Sequence, residues 1–267
     1  MLNSLSALLK HLNNLWGQRE LLGVWTAREV RIRYKQSVLG VLWALLQPLA
    51  FTFMFTVVFS YVVQVPTDGI PYPIFSFTAL LPWTLLTASI SFGVPSLVGN
   101  MNLVTKIYFP REILPLAAMF AALVDFLVAS LIYVAMLLWY RLPLYPTALL
   151  LPLLLVVQTA LALGLVLLGA AALVFYRDIR FVVPLTLQLW LYASPVIYPA
   201  SLVPAQWQWL YALNPMVGLL EGYRAILLHG VWPSPATLAP AVVISTVLLV
   251  AGYAWFKRVE PSFADMI

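Results

Sequence analysis

Asp125 stands alone as the ionisable residue between Glu112 and Arg141, in the middle of a long apolar run. A carboxylate in such surroundings is costly unless it is neutralised, paired or wetted. Two readings therefore stand: a structural bond to a neighbouring helix, or a place along a polar route. Four cations, Arg28, Arg31, Arg33 and Lys35, crowd the residues before a stretch with no charge from Gln36 to Thr67. Positive charge there marks the flank of a first membrane span, and long basic side chains can reach lipid headgroups. Glu29 and Arg33 lie four apart, placed to pair on a helix, and Glu221 and Arg224 lie three apart on one face. Arg177, Asp178 and Arg180 form a tight charged turn. The chain has no cysteine, no GxxxxGK[ST] phosphate loop, no HExxH or GxSxG motif and no carboxylate cluster suited to a metal. His11 and His229 are isolated and read as surface residues, so no cofactor, metal or catalytic residue is expected on this chain.

The elements that position these residues follow from composition. Of 267 residues, 63% are hydrophobic and 9% charged, against about 25% charged in soluble domains. In lipid each segment must satisfy its own backbone, so the apolar runs are expected to be helices and the fold class all-α, a polytopic membrane protein. The net charge of +5 sits at span ends, which points to topology and excludes nucleic acid as the natural partner.

Residues 1–37 are expected to form a cytoplasmic N-terminal region. The first 35 residues read as a helix lying on the bilayer surface with Leu21, Trp25 and Ile32 on one stripe, or else as a disordered basic leader. Residues 38–256 hold six spans, at about 38–63, 74–98, 113–138, 147–174, 181–194 and 236–256, and residues 257–267 form a cytoplasmic tail. Proline punctuation at Pro195, Pro199, Pro204 and Pro215 predicts two short external helices dipping back into the bilayer edge within about 199–230, the second capped by Asn214 before Pro215. Trp190, Tyr192, Tyr198, Trp207, Trp209, Tyr211 and Tyr223 belong to an aromatic population that either lines a path for sugars or forms lipid-facing belts. Six spans put both termini on one side. With that side cytoplasmic, every Lys and Arg except Arg141 and Arg224 lies inside.

Five motif groups in order resemble the polysaccharide-exporting branch of the ABC type-2 permeases, the membrane subunits for O antigen, teichoic acid and capsule. They are RYKQSVLGVLWALLQP at 33–48, NLVTKIYFPREILP at 102–115, FYRDIR at 175–180, SPVIYP at 194–199, and LNP at 213–215 with EGYR at 221–224. The resemblance implies an inner-membrane homodimer working with a separate nucleotide-binding subunit, which carries ATP and Mg, and moving a polyprenyl-linked polysaccharide through the lipid bilayer. It assigns ATPase-coupling contacts to Arg28, Arg31, Arg33 and Lys35 and to the loop residues Asn100, Asn102, Lys106, Arg111 and Glu112. For Lys106 and Arg111 the other reading is topology signalling alone. It also implies that 199–230 holds external gate helices beside the exit of the conduit, or else a cap on the dimer, and the residues expected on a gate or substrate path are Asp125, Trp190, Tyr192, Tyr198, Trp207, Trp209, Tyr211, Glu221, Tyr223 and Arg224. Arg177, Asp178 and Arg180 read first as an ion-paired corner and second as a guide for a lipid pyrophosphate. Competing readings are a sibling permease for drugs or small lipids, and a membrane transferase acting on polyprenyl lipids.

Overall fold

The computed structural model describes residues 17–35, 37–40, 42–107 and 109–266. His11 and the leader before Gly17 lie outside these residues. The described residues form helices joined by turns and irregular connections, with no strand among them. The first helix, α1, spans Arg19–Tyr34. Helix α2, Leu42–Phe55, runs on as a π-helical segment, Thr56–Val62. Helix α3 spans Tyr72–Gly93, and the six-residue α4 spans Met101–Lys106. They are followed by α5, Ile113–Trp139, α6, Leu151–Phe175, and α7, Ile179–Tyr192. The outer segment holds α8, Gln208–Tyr211, and α9, Pro215–Arg224. The chain closes with α10, Pro235–Val259, and the short α11, Phe263–Met266.

Among the described residues five helical stretches are long and apolar enough to cross a bilayer: Leu42–Val62, Tyr72–Ser96, Ile113–Trp139, Pro146–Phe175 and Pro235–Ser262. They coincide with five of the six expected spans because the length of an uncharged run is fixed by hydrocarbon thickness. The remaining expected span, at 181–194, is α7, a helix of 14 residues. At 1.5 Å per residue it is about 21 Å long, against about 30 Å of hydrocarbon.

Helix α3 is the centre of the bundle. Nearly all of it is buried, including the hydroxyls of Ser76, Thr78 and Ser89. Each of these donates to a carbonyl of its own helix, at 3.1, 2.7 and 2.7 Å, which removes the cost of burying it. By contrast α2 buries only Pro48, Thr52 and Phe55, and leaves Leu46, Phe53 and Met54 exposed.

Helices α6 and α10 touch backbone to backbone. A Cβ built on Gly164 stands 2.5 Å from the Leu248 carbonyl carbon, and one on Gly252 stands 2.5 Å from the Gly164 oxygen. Small residues permit that approach where lipid offers no hydrophobic drive between helices. Gly164→Val is therefore expected to force the two helices apart, at a cost of about 2 kcal/mol or more. The check is the thermal unfolding midpoint in detergent, with Gly99→Val, where the built Cβ meets nothing within 4 Å, as the control.

The two ends of the bundle differ in chemistry. At one end Leu97, Val104, Leu114, Val174, Phe256 and Phe263 form a separate buried cluster. The basic corners at Lys106, Arg177 and Lys257 border these residues in sequence, so the fold gathers them at a common end. At the other end Thr147 donates to the Ile226 carbonyl at 2.7 Å, and Gly230, with φ +66, lies against the Tyr145 ring where any Cβ would clash.

Candidate functional site

A cavity of about 590 Å³ opens between the end of α1 and helices α2, α3, α5 and α7. Its wall mixes amides, hydroxyls and rings: Gln47 and Trp43 from α2, Trp83, Thr84, Thr87 and Ser91 from α3, and Gln188 from α7. Trp83 also packs edge to face with Trp190, 5.9 Å between centroids. Pro48 and Pro184 border the same space from α2 and α7. A proline inside a helix has no N–H, so each leaves the carbonyl four residues earlier, at Ala44 and Arg180, without its helical donor. Such a wall suits a polyhydroxylated guest, with rings to stack on and acceptors and donors to replace water.

Asp125 closes one side of the cavity and is paired. Arg33 Nη1 lies 2.6 Å from its carboxylate, and the Tyr34 hydroxyl donates to the other oxygen at 2.5 Å. The Arg33 side chain is 7% exposed; it also donates to the Ala118 carbonyl at 2.8 Å and lies over the Phe92 ring at 4.0 Å. Burial first, and then the bond to Asp125, push the Tyr34 phenol well above its ordinary value, so it remains a donor at neutral pH. Of the two sequence readings of Asp125, the bond to a neighbouring helix is present, and the residue also lines the cavity. The expected Glu29–Arg33 pair is not formed: Glu29 lies 3.7 Å from Arg28, because Arg33 turns into the bundle where a carboxylate would otherwise be unpaired.

The other proposed coupling residues divide. Arg31 and Lys35 are exposed. Arg28 stacks on Trp25 at 4.4 Å and donates to Asn100 at 3.2 Å, tying α1 to the loop. Asn102, Thr105 and Lys106 form the exposed side of α4, whose single buried residue is Val104. Arg111 and Glu112 face inward. Glu112 is 2% exposed and bonded to Lys257, so it is not presented to a docking partner, while half-buried Arg111 is tied to Glu260.

The outer segment is anchored by polar bonds. Asn214 caps α9 as the Asn-Pro dipeptide predicts, accepting from the Met216 N–H at 3.0 Å. Its amide also donates to the Ala193 carbonyl and to Ser194, each at 2.9 Å, while Trp190 Nε1 donates to its oxygen at 2.9 Å. Glu221 and Arg224 pair at 2.9 Å, as their spacing predicts. Arg224 and Tyr223 are nonetheless buried inside the subunit, so neither lines an open path and Arg224 is not an outer surface charge. Tyr223 donates to Gln158 at 2.8 Å, and Gln158 donates to the Pro82 carbonyl at 2.6 Å. Tyr198 and Tyr211 touch through their hydroxyls at 3.2 Å, and Tyr192, Trp207 and Trp209 are exposed. Arg177, Asp178 and Arg180 are all exposed, and among the described residues no ion pair joins them. Arg180 instead lies 4.7 Å from the Phe181 ring. The expected ion-paired corner is therefore a set of solvated charges, since water screens such pairs down to about 1 kcal/mol or less.

Sequence reasoning missed Tyr34, Gln158, Lys257 and Glu260. An amide in the middle of an apolar span, as at Gln158, was the one available signal.

The chain is thus a multi-pass membrane protein with a cavity among its spans whose lining mixes apolar side chains with rings and polar groups. It belongs to the ABC-2 type transporter family, whose description matches residues 20–228. It is similar to an O-antigen export system permease protein of Myxococcus xanthus, 31% identical over 97% of this chain and 100% of that protein. A Klebsiella pneumoniae protein of the same description is 27% identical over 97% of this chain and 99% of its own length. A polysialic acid transport protein of Escherichia coli is 25% identical over 87% of this chain and 91% of its own length.

Proposed function

We propose that the chain is the membrane permease subunit of an ATP-driven exporter that moves a lipid-linked polysaccharide of the O-antigen class across the inner membrane, with both termini cytoplasmic. The near full-length similarity to O-antigen export permeases carries this reading. The cavity supports it, because amides, hydroxyls and indoles are what a glycan needs. The chain works as a homodimer on this reading, as the resemblance to the polysaccharide-exporting permeases implies, and the apolar faces that α2 and α7 leave exposed beside the cavity are compatible with a second copy there. A separate nucleotide-binding subunit binds ATP and Mg and docks on the exposed side of α4 and the basic residues of α1. Its closure on ATP moves α1 and α4, and the cavity opens along the subunit interface.

The test is reconstitution of both subunits in proteoliposomes loaded with a lipid-linked O-antigen polymer. ATP-dependent movement of the polymer is the expected result, and its absence alongside normal ATP hydrolysis would overturn the reading. A capsule-type polymer is the second reading, favoured by the similarity to the polysialic acid transport protein. Movement of polysialic acid in place of O antigen in the same vesicles selects it.

A further inference from the structure

Between α4 and the end of the last span lies a knot of charge that the cavity and the outer segment do not use. Lys257 Nζ lies 2.6 Å from the buried Glu112 carboxylate and 2.9 Å from Glu260. Glu260 accepts the Arg111 backbone N–H on its side chain at 3.2 Å, and its own carbonyl accepts the Arg111 guanidinium. That guanidinium also points at the Val104 carbonyl of α4, 3.5 Å away, and lies 5.9 Å from the Phe263 ring. Underneath, Val104, Phe256 and Phe263 are buried together, and the two phenylalanines meet edge to face at 5.3 Å.

A helix of six residues cannot hold itself in water, since its nucleation is unfavourable and it gains few internal bonds. Helix α4 therefore takes its shape and direction from what it rests on. That support is the turn after α10, bonded through Arg111 and packed through Phe263. A carboxylate as buried as Glu112 makes the tie sensitive, because removing Lys257 would leave it without its cation.

We propose that Lys257, Glu260 and Phe263 are positioning residues for α4: the turn after the last span is the seat that aims the loop helix and passes a push on it into α10. The part played by α4 in transmitting that push rests on the exporter reading above. The seat itself is a property of this chain alone.

Two measurements on Lys257→Met separate these. Hydrogen exchange of the amides at 101–107 in the purified subunit is expected to quicken by about tenfold as the local opening becomes easier. In proteoliposomes with the partner ATPase, polymer moved per ATP is expected to fall about fivefold while ATP hydrolysis persists. Lys257→Arg, which keeps both carboxylates paired, is expected to give both readings of the unsubstituted chain, and Glu260→Gln takes the place of Lys257→Met as the weakened form if that variant fails to fold. Unchanged exchange at 101–107 together with an unchanged ratio of polymer to ATP in a folded variant overturns the proposal. If the unsubstituted complex hydrolyses ATP and moves no polymer, the exporter reading fails, and the exchange measurement alone still decides the seat.

Discussion

Arg224→Met is expected to cost about 4 kcal/mol, the size seen when one partner is removed from a buried charge pair. The guanidinium is 2% exposed and holds four things at once. It is 2.9 Å from Glu221, 3.0 Å from the Val196 carbonyl, 3.4 Å from the Tyr198 carbonyl, and 3.9 Å from the centre of the Phe75 ring. Methionine fills much of the volume and supplies none of the donors. Glu221 keeps only the Ala200 N–H, at 3.3 Å, and two carbonyls of the 194–199 turn lose a partner. Arg224→Lys restores a charge but not the planar fork or the stacking on Phe75, so an intermediate loss is expected. Thermal unfolding in detergent measures the cost. Limited proteolysis locates it, with new cleavage expected between about 199 and 214. Unaltered unfolding and cleavage would show that Arg224 is not the anchor of that segment.

Asp125→Ala is expected to destabilise the subunit by about 3 kcal/mol, again by stranding a buried cation. Arg33 would keep the Ala118 carbonyl and the Phe92 ring but lose its counter-charge, and Tyr34 would lose its acceptor. The sign of a second variant makes the argument specific. Arg33→Met with Asp125→Leu removes both charges together and is expected to recover most of the loss, since an apolar pair in lipid needs no compensation. If the double variant is as unstable as the single one, the pair matters for shape rather than for charge balance. Asp125→Asn keeps an acceptor for Tyr34 while removing the counter-charge of Arg33, so the stability it retains over Asp125→Ala measures the hydrogen bond apart from the ion pair.

Much of the architecture is legible in the residues. The spans are set by apolar run length, so Ile113–Trp139 falls within one residue of the expected 113–138. Local pairs are legible too: Asn214 caps because proline follows it, and Glu221 meets Arg224 because they are three apart. Charges that pair across the fold are not. Helical spacing offers Glu29 to Arg33, but the partner chosen is Asp125, 92 positions away, because an unpaired carboxylate inside the bundle is the costlier one to leave, while Glu29 has Arg28 beside it at 3.7 Å. Lys257 reads as a topology signal and is instead bonded to Glu112, 145 positions away. The shortness of α7 is legible as well: the expected 181–194 is already 14 residues long, ended by Pro195, and the helix runs Ile179–Tyr192.

Pro48 stands inside α2 beside the cavity, and Ala44 lines the same space. Because proline has no N–H, the Ala44 carbonyl lacks its helical donor and is a main-chain acceptor that no change of side chain at 44 removes. Alanine at 48 would return the donor and take that acceptor out of use.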